Sequence, residues 1–354
     1  MGESKSIVIE QSDHPASTWI GTSNRGYGIT AVEELRRKYK GMRAVPLSAG
    51  DVFRFDIELP PAEVLQRIAG DEPIFLRHLF PVHAIVPSDG SQDDLERIRA
   101  AVRNGGWQLE GNTVAVQARK AEGVSFAYSP FDVKMAVDEV LQAQYRAHPV
   151  IQEMDTVVSV FLAEGNIYIG CSKPEQNLSS WSGGAIHFRK DQTDISRAKF
   201  KLMEAEQVFG LSFKDGGRAL DIGAAPGGWS SLLLERGMHV TAVDPAKMDS
   251  ALLRNPRLTH LQRNAADIHF PDKSFDVMVC DMSWDPIRMA RMLKELTAAL
   301  VVGGMAVTTV KLMHGKPFAT VREMEHILSP EWKLRKTKQL FHNREELTCL
   351  WSRR

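Results

Sequence analysis

Four side chains suited to proton transfer lie in four separated segments. They are Lys201 in "SRAKFKLMEA", Asp281 at the end of "VMVCD", Lys311 at the end of "VTTVK", and Glu346 in "HNREELTCLW". A lysine that is partly desolvated and crowded by another cation has a depressed pKa and can accept a proton, while carboxylates on either side fix its geometry. Such a base suits a hydroxyl whose own pKa lies far above neutral, a ribose 2′-hydroxyl for example, provided an electrophile stands in line with it. A lone lysine or aspartate at a strand end is ordinarily a solvated edge, so the reading needs all four on one rim. On that reading Lys311 is the general base, Asp281 orients it and the hydroxyl, and Lys201 and Glu346 form a supporting pair.

The electrophile is read from "ALDIGAAPGGWSS", residues 219 to 231, where a buried strand turns into glycine. This strand–turn–helix context raises a glycine motif above chance, yet the pattern is not GxGxxG. Asp221 stands inside the turn, where a carboxylate would repel a pyrophosphate at a helix N-terminus. Pro226 is placed to start the following helix. The turn therefore suits a cationic ligand bearing hydroxyls and amines, which describes S-adenosylmethionine. Its expected contacts are Asp221, Gly223, Ala224, Ala225, Pro226, Gly227, Gly228 and Trp229, with Asp281 at the next strand end. The glycines would admit the methionine end against the backbone. Asp244 ends the next strand, 23 positions after Asp221, about where a strand-end acid meets a ribose hydroxyl pair. Asp267 in "NAADI" could reach the adenine amino group.

The acceptor is read from the end of the fourth strand, "VMVCDMSWDP". Enzymes that methylate ring or exocyclic amines commonly place Asn/Asp-Pro-Pro-Tyr/Phe there to grip a flipped base, and no paired proline follows Asp281. Cytosine-C5 chemistry needs a nucleophilic cysteine nearby. Cys280 falls on a buried strand and reads as core.

These residues need elements to hold them. From Ser196 onward the chain alternates regularly, with strands expected at Arg218–Ile222, His239–Val243, Thr259–Gln262, Phe275–Cys280, Met305–Val310, Lys333–Leu340 and Leu347–Trp351. Helices fill most gaps, which predicts an α/β, Rossmann-like domain over 196–354 with a mostly parallel sheet. Ligands of such sheets bind outside the carboxyl ends of the strands. An antiparallel last strand, hairpinned to Lys333–Leu340, would bring Glu346 to that same edge.

Upstream, residues 1–87 read as a β-α-β-α-β unit of ferredoxin-like α+β type behind a polar, frayed start. Its strands are "TWIGTS", "VFRFDIEL" and the region "PIFLRHLFPVHAIV"; its helices are "GITAVEELRRKY" and "PAEVLQRIA". Residues 88–175 form a second small unit. It has a helix in "SQDDLERIRAAVRNGG", a strand in "NTVAVQARKA", and two strands in "DTVVSVFLAEGNIYIGCS" joined at Glu164-Gly165-Asn166. The Ser/Gly/Asn/Gln-rich stretch 176–195 reads as a linker.

With 44 Lys+Arg against 44 Asp+Glu the net charge is zero, so no global field pulls the chain toward nucleic acid, and any basic surface must be local. Candidates near the linker are Arg189, Lys190, Arg197 and Lys199. The tail adds Lys333, Arg335, Lys336, Lys338, Arg353 and Arg354, and Trp181 could stack on a base. Cys171, Cys280 and Cys349 are far apart, suggesting neither a disulfide framework nor zinc, and no metal is expected. Met1-Gly2 with Ser6 formally fits a myristoylation pattern, a short match frequent by chance. There is no apolar run of transmembrane length and no signal-peptide pattern, so no membrane is expected and the cytoplasm is the expected compartment.

"SRAKFKL", "LDIGAAPGGWS", "CDMS", "VKL" and "REELT" resemble, in order and spacing, the FtsJ-like family of RNA 2′-O-ribose methyltransferases. The likeness covers about residues 190 to 354. It is nearest the bacterial branch that methylates a cytidine of large-subunit ribosomal RNA. The resemblance implies an S-adenosylmethionine-dependent enzyme whose Lys-Asp-Lys-Glu tetrad is Lys201, Asp281, Lys311 and Glu346. It also implies RNA, ribosomal RNA in that branch, as partner, and a THUMP RNA-binding domain over 88–175. Two departures stand out: "SWDP" after Asp281, and the weakly basic "MHGKPFA" after Lys311. Two alternatives stay open: an RNA-binding protein with a catalytically silent transferase fold, and a methyltransferase for another RNA or a non-RNA acceptor.

Overall fold

The computed structural model describes residues 16–191, 194–312 and 316–354. The Met1-Gly2 pattern, most of the polar start and residues 313–315 of "MHGKPFA" lie outside the described residues. The chain divides into two compact units, Met1–Ala185 and Ile186–Arg354.

The first unit opens with β1 (Ser17–Thr22), α1 (Gly28–Lys38), β2 (Arg43–Pro46), β3 (Val52–Ile57), α2 (Pro61–Gly70) and β4 (His78–Pro81). The sheet order is β2-β3-β1-β4, with β1 antiparallel to both neighbours, which is the ferredoxin-like arrangement. Its interior comes from period-two strands such as β3, whose Phe53, Phe55 and Ile57 are buried. The expected β-α-β-α-β order missed β2, a four-residue, mostly exposed edge strand with no apolar alternation to betray it.

The second sheet holds β5 (Ala84–Pro87), β6 (Thr113–Lys120), β7 (His148–Val150), β8 (Thr156–Ala163) and β9 (Asn166–Ser172), in the order β5-β9-β8-β6-β7. Two helices pack with it, α3 (Asp93–Arg103) and α4 (Pro130–Ala143). Helix α4 starts at a reciprocal cap: the Ser129 hydroxyl accepts from the Asp132 amide, and the Asp132 carboxylate accepts from the Ser129 amide at 2.7 Å. The single strand region expected over 73–86 is in fact two strands, β4 and β5, one in each sheet. The change of sheet falls between Val82, whose amide donates to Thr18 of the first sheet, and His83, whose amide donates to Ile169 of the second.

The C-terminal unit contains α5 (Ala198–Phe209), β10 (Arg218–Ile222), α6 (Gly228–Glu235), β11 (His239–Val243), β12 (Leu258–Leu261) and β13 (Phe275–Cys280). It continues with α7 (Pro286–Glu295), β14 (Leu300–Lys311), α8 (Pro317–Leu328), β15 (Trp332–Lys338) and β16 (Glu346–Arg353). The order is β12-β11-β10-β13-β14-β16-β15, with the first five strands parallel and β16 antiparallel to both β14 and β15. This is the Rossmann-like fold, with its topological switch between β10 and β13. Strand β14 begins at Leu300, five residues before the expected Met305, and passes through Gly303 at φ +78. Helix α6 starts at Gly228, so Pro226 does not begin it; Pro226 lies in the turn after a cis Ala225–Pro226 bond.

Candidate active site

The parallel strands end on one rim, and the antiparallel pairing of β16 places Lys311 directly across from Glu346. Asp281 follows β13 immediately, and Lys201 comes from the second turn of α5. The four side chains form one connected network. The Lys201 ammonium lies 3.1 Å from each Asp281 oxygen and 2.6 Å from Glu346 Oε1. Lys311 donates to the other oxygen, Glu346 Oε2. Thr309 adds a hydroxyl donated to Asp281 Oδ1 at 2.8 Å.

The electrostatics give the members different characters. Burial alone would lower the Lys201 pKa, but the Asp281 and Glu346 carboxylates outweigh it and hold the ammonium above its ordinary value. Burial would raise Glu346, whose side chain is 2 % exposed, but hydrogen bonds from Lys201 and Lys311 hold it below the usual carboxylate range. Lys201 is a structural cation between two anions, whereas Lys311 shares one carboxylate with it. The geometry also departs from the expected division of labour: Glu346 holds Lys311, while Asp281 bonds Lys201 and Thr309.

The β10–α6 turn lies at the next strand end. Asp221 is 1 % exposed and accepts the Ser230 hydroxyl at 2.6 Å. Burial pushes its carboxyl up to about 7, and the neighbouring Asp281 and Asp244 charges add to the rise while Ser230 opposes it. Asp244, after β11, accepts the Ala225 amide at 3.0 Å on one oxygen and the Ala246 amide at 2.7 Å on the other. Each oxygen keeps a lone pair for a further donor. Three carboxylates around one turn make a field that attracts a sulfonium or ammonium and repels phosphate, so the donor set fits S-adenosylmethionine.

The turn's glycines also answer to the protein's own packing. Gly223 (φ +73) would set a Cβ 2.3 Å from Met282 Cγ, and Gly227 (φ +121) one 2.2 Å from Leu252 Cδ1. A Cβ on Gly228 would meet Ser196 Oγ at 2.2 Å. Protein packing and left-handed backbone thus already require glycine, before any ligand does. Trp229 is buried and donates its indole N–H to the Ala198 carbonyl at 2.8 Å, tying the turn to the helix that carries Lys201. Ala224 is buried, Ala225 is half-buried against the core and Pro226 is exposed. Asp267 is exposed just beyond the edge strand β12, with no contact to the other acids.

Several other expected residues are placed elsewhere. Lys199 is buried and ion-paired with Asp194 at 2.7 Å and Glu235 at 2.8 Å, so it is no surface cation. Lys338 is buried, and Arg353 donates to the Ala298 and Leu300 carbonyls. Arg189, Lys190, Arg197, Lys333, Arg335, Lys336 and Arg354 are exposed. Trp181 lines a cavity of the first unit with Phe131 and Ile151. Cys280 is fully buried, as a core residue should be, and burial pushes its thiol far up. In the departing "SWDP", Asp285 caps α7 by accepting the Ile287 and Arg288 amides at 3.0 Å, and the Arg288 guanidinium stacks 4.2 Å over the Trp284 ring.

Sequence reasoning missed Thr309, Ser230 and Glu204. Strand periodicity could have found Thr309, which shares a face with Lys311 two residues on. Helical spacing could have found Glu204, three residues beyond Lys201. Among the described residues no cluster of three or more His, Cys, Asp or Glu could hold a metal, and no helix is long and apolar enough to cross a membrane.

Comparison with known proteins adds independent findings. Residues 195–337 match the family described as FtsJ-like methyltransferase. The ribosomal RNA large subunit methyltransferase M of Shewanella sediminis is 29 % identical over 314 residues, covering 82 % of this chain and 84 % of that protein. That of Psychromonas ingrahamii is 33 % identical over 202 residues, covering 53 % and 54 %. The crystal structure of TrmN from Thermus thermophilus covers 96 % of this chain and 100 % of its own, at 18 % identity and a TM-score of 0.43.

Proposed function

Because its C-terminal domain belongs to the FtsJ-like methyltransferases, we propose that this protein transfers a methyl group to a ribose 2′-hydroxyl of large-subunit ribosomal RNA, in the cytoplasm. The observation that carries the reading is the Lys201–Asp281 and Glu346–Lys311 network on the rim beside the acidic turn. Binding alone needs no such set, since burying paired charges is costly unless their geometry is fixed. The relatives named above as large-subunit ribosomal RNA methyltransferases support the substrate.

S-adenosylmethionine is the cofactor and supplies the electrophilic methyl when bound. Asp244, with its free lone pairs, would take the ribose hydroxyls, and the Asp221–Asp281 side would face the cationic end. Lys311 Nζ removes the 2′-hydroxyl proton. Glu346 orients Lys311, and the Lys201 ammonium pairs with both Glu346 and Asp281, which lowers the proton affinity of Glu346. Thr309 keeps Asp281 turned toward Lys201. Upstream, the β2-β3-β1-β4 sheet is proposed as a ferredoxin-like unit, the β5-β9-β8-β6-β7 sheet with α3 and α4 as a THUMP-like RNA-binding unit, and 176–195 as the connecting segment.

The test is to incubate the protein with labelled S-adenosylmethionine and large-subunit ribosomal RNA from cells lacking this gene, then map label by resistance of the linkage to alkaline cleavage. One 2′-O-methylated position is expected. Label on a base, on protein or on small molecules would overturn the reading.

A further inference from the structure

Beside the tetrad, in the same C-terminal unit, lies a groove of about 530 Å³. One wall is Lys201, Lys311 and Glu346; the other is made of aromatic rings that the reaction as derived does not use. Phe188 stacks on Phe200 (6.0 Å between centroids, 20°) and on His342 (5.4 Å, 24°). Phe341 meets His342 edge-on at 5.1 Å. Phe341 and His342 are half-buried, and Lys190, Arg197 and Arg344 on the groove's border are exposed.

Glu204 holds this wall in place. It is 2 % exposed, and its carboxylate accepts three donors from the wall. They are the Phe341 amide at 2.7 Å, the His342 amide at 2.8 Å and the His342 imidazole at 2.7 Å. A buried carboxylate devoted to one turn fixes the Phe341–His342 backbone and the His342 ring relative to Lys201, which sits three residues earlier on the same helix. Rings presented next to cations are the recognition chemistry of single-stranded nucleic acid, in which bases stack on aromatic faces and phosphates meet the cations.

We propose that this groove seats a single-stranded segment of the RNA, one base stacked on the Phe341–His342 wall and phosphates against Lys190, Arg197 and Arg344, with Glu204 as the positioning residue. The inference rests on the ribosomal RNA reading above and adds where the strand lies. Stacking on one side chain contributes about 1–3 kcal/mol per base, which corresponds to roughly a 5- to 150-fold change in affinity.

The test measures KM for large-subunit ribosomal RNA, kcat, and the cofactor Kd with the full chain. Alongside it, anisotropy follows a labelled single-stranded RNA of about ten nucleotides, a length within the usual site size. His342→Ala should raise KM and the oligonucleotide Kd about tenfold, with kcat within about threefold and the cofactor Kd unchanged. His342→Phe should restore both through its ring, and Glu204→Gln should fall between. Arg197→Ala and Arg344→Ala should each reduce the slope of log affinity against log salt by about 0.7. Wild-type KM and Kd in His342→Ala would overturn the groove; so would His342→Phe behaving like His342→Ala. If wild-type protein bound the oligonucleotide with this same dependence but methylated no ribosomal RNA, the functional reading would fail and the groove would stand.

Discussion

At the scale of the residue, the site separates groups that hold charge from groups that exchange a proton. Asp221 is the titrating member: its carboxyl is about 7 in the folded protein against 3.8 unperturbed. Between those values the unfolded chain has lost a proton that the native state keeps, so this residue makes stability fall as pH rises from about 4 to 7. A bound cation reverses the preference, because it favours the ionised carboxylate that Asp281 and Asp244 oppose. Cofactor binding is therefore expected to release protons near neutrality, and affinity should rise with pH through about 7. Titration calorimetry in buffers of different ionisation enthalpy checks this, and Asp221→Asn should abolish the proton release. Proton uptake, or release unchanged in Asp221→Asn, would contradict it. The sequence made the acids and lysines legible as types but not their states. Lys199 and Lys338 read as surface cations because burial, and for Lys199 a partner as far along the chain as Glu235, decide what a charge does.

At the scale of the element, the rim was legible because buried parallel strands advertise themselves as short apolar runs bounded by glycine and acid. Strands β10, β11 and β13 fall where their residues predict. The antiparallel closure by β16 then follows from its hairpin with β15 and delivers Glu346 opposite Lys311. The purpose of the turn's glycines was not legible, since their neighbours Met282, Leu252 and Ser196 arrive from other segments. Gly223→Ala tests the packing account. A left-handed alanine costs roughly 1–2 kcal/mol, and its Cβ would displace Met282 from the mouth of the turn. Chemical denaturation should show a loss of that order, and the cofactor Kd should rise at least tenfold. Wild-type stability and affinity would mean that the turn tolerates a side chain after all.

At the scale of the whole molecule, zero net charge gave no global field, and the sequence offered only local cations, Lys190 and Arg197 among them, as places where RNA would lie. In the fold, Lys190, Arg197 and Arg344 are exposed beside the tetrad groove, and the proposed RNA path rests on them. The first unit's two sheets were legible except for the break between β4 and β5 and for β2 and β7, short edge strands that lack alternation. The central claim is that Lys311 takes the proton from a ribose 2′-hydroxyl, and its most direct test is single-turnover methyl transfer to large-subunit ribosomal RNA by full-length Lys311→Ala with cofactor prebound. General-base loss should slow the chemical step by about 10²–10⁴-fold, with the cofactor Kd and the RNA KM near wild type. A Lys311→Ala protein that transfers methyl at the wild-type rate would contradict the account.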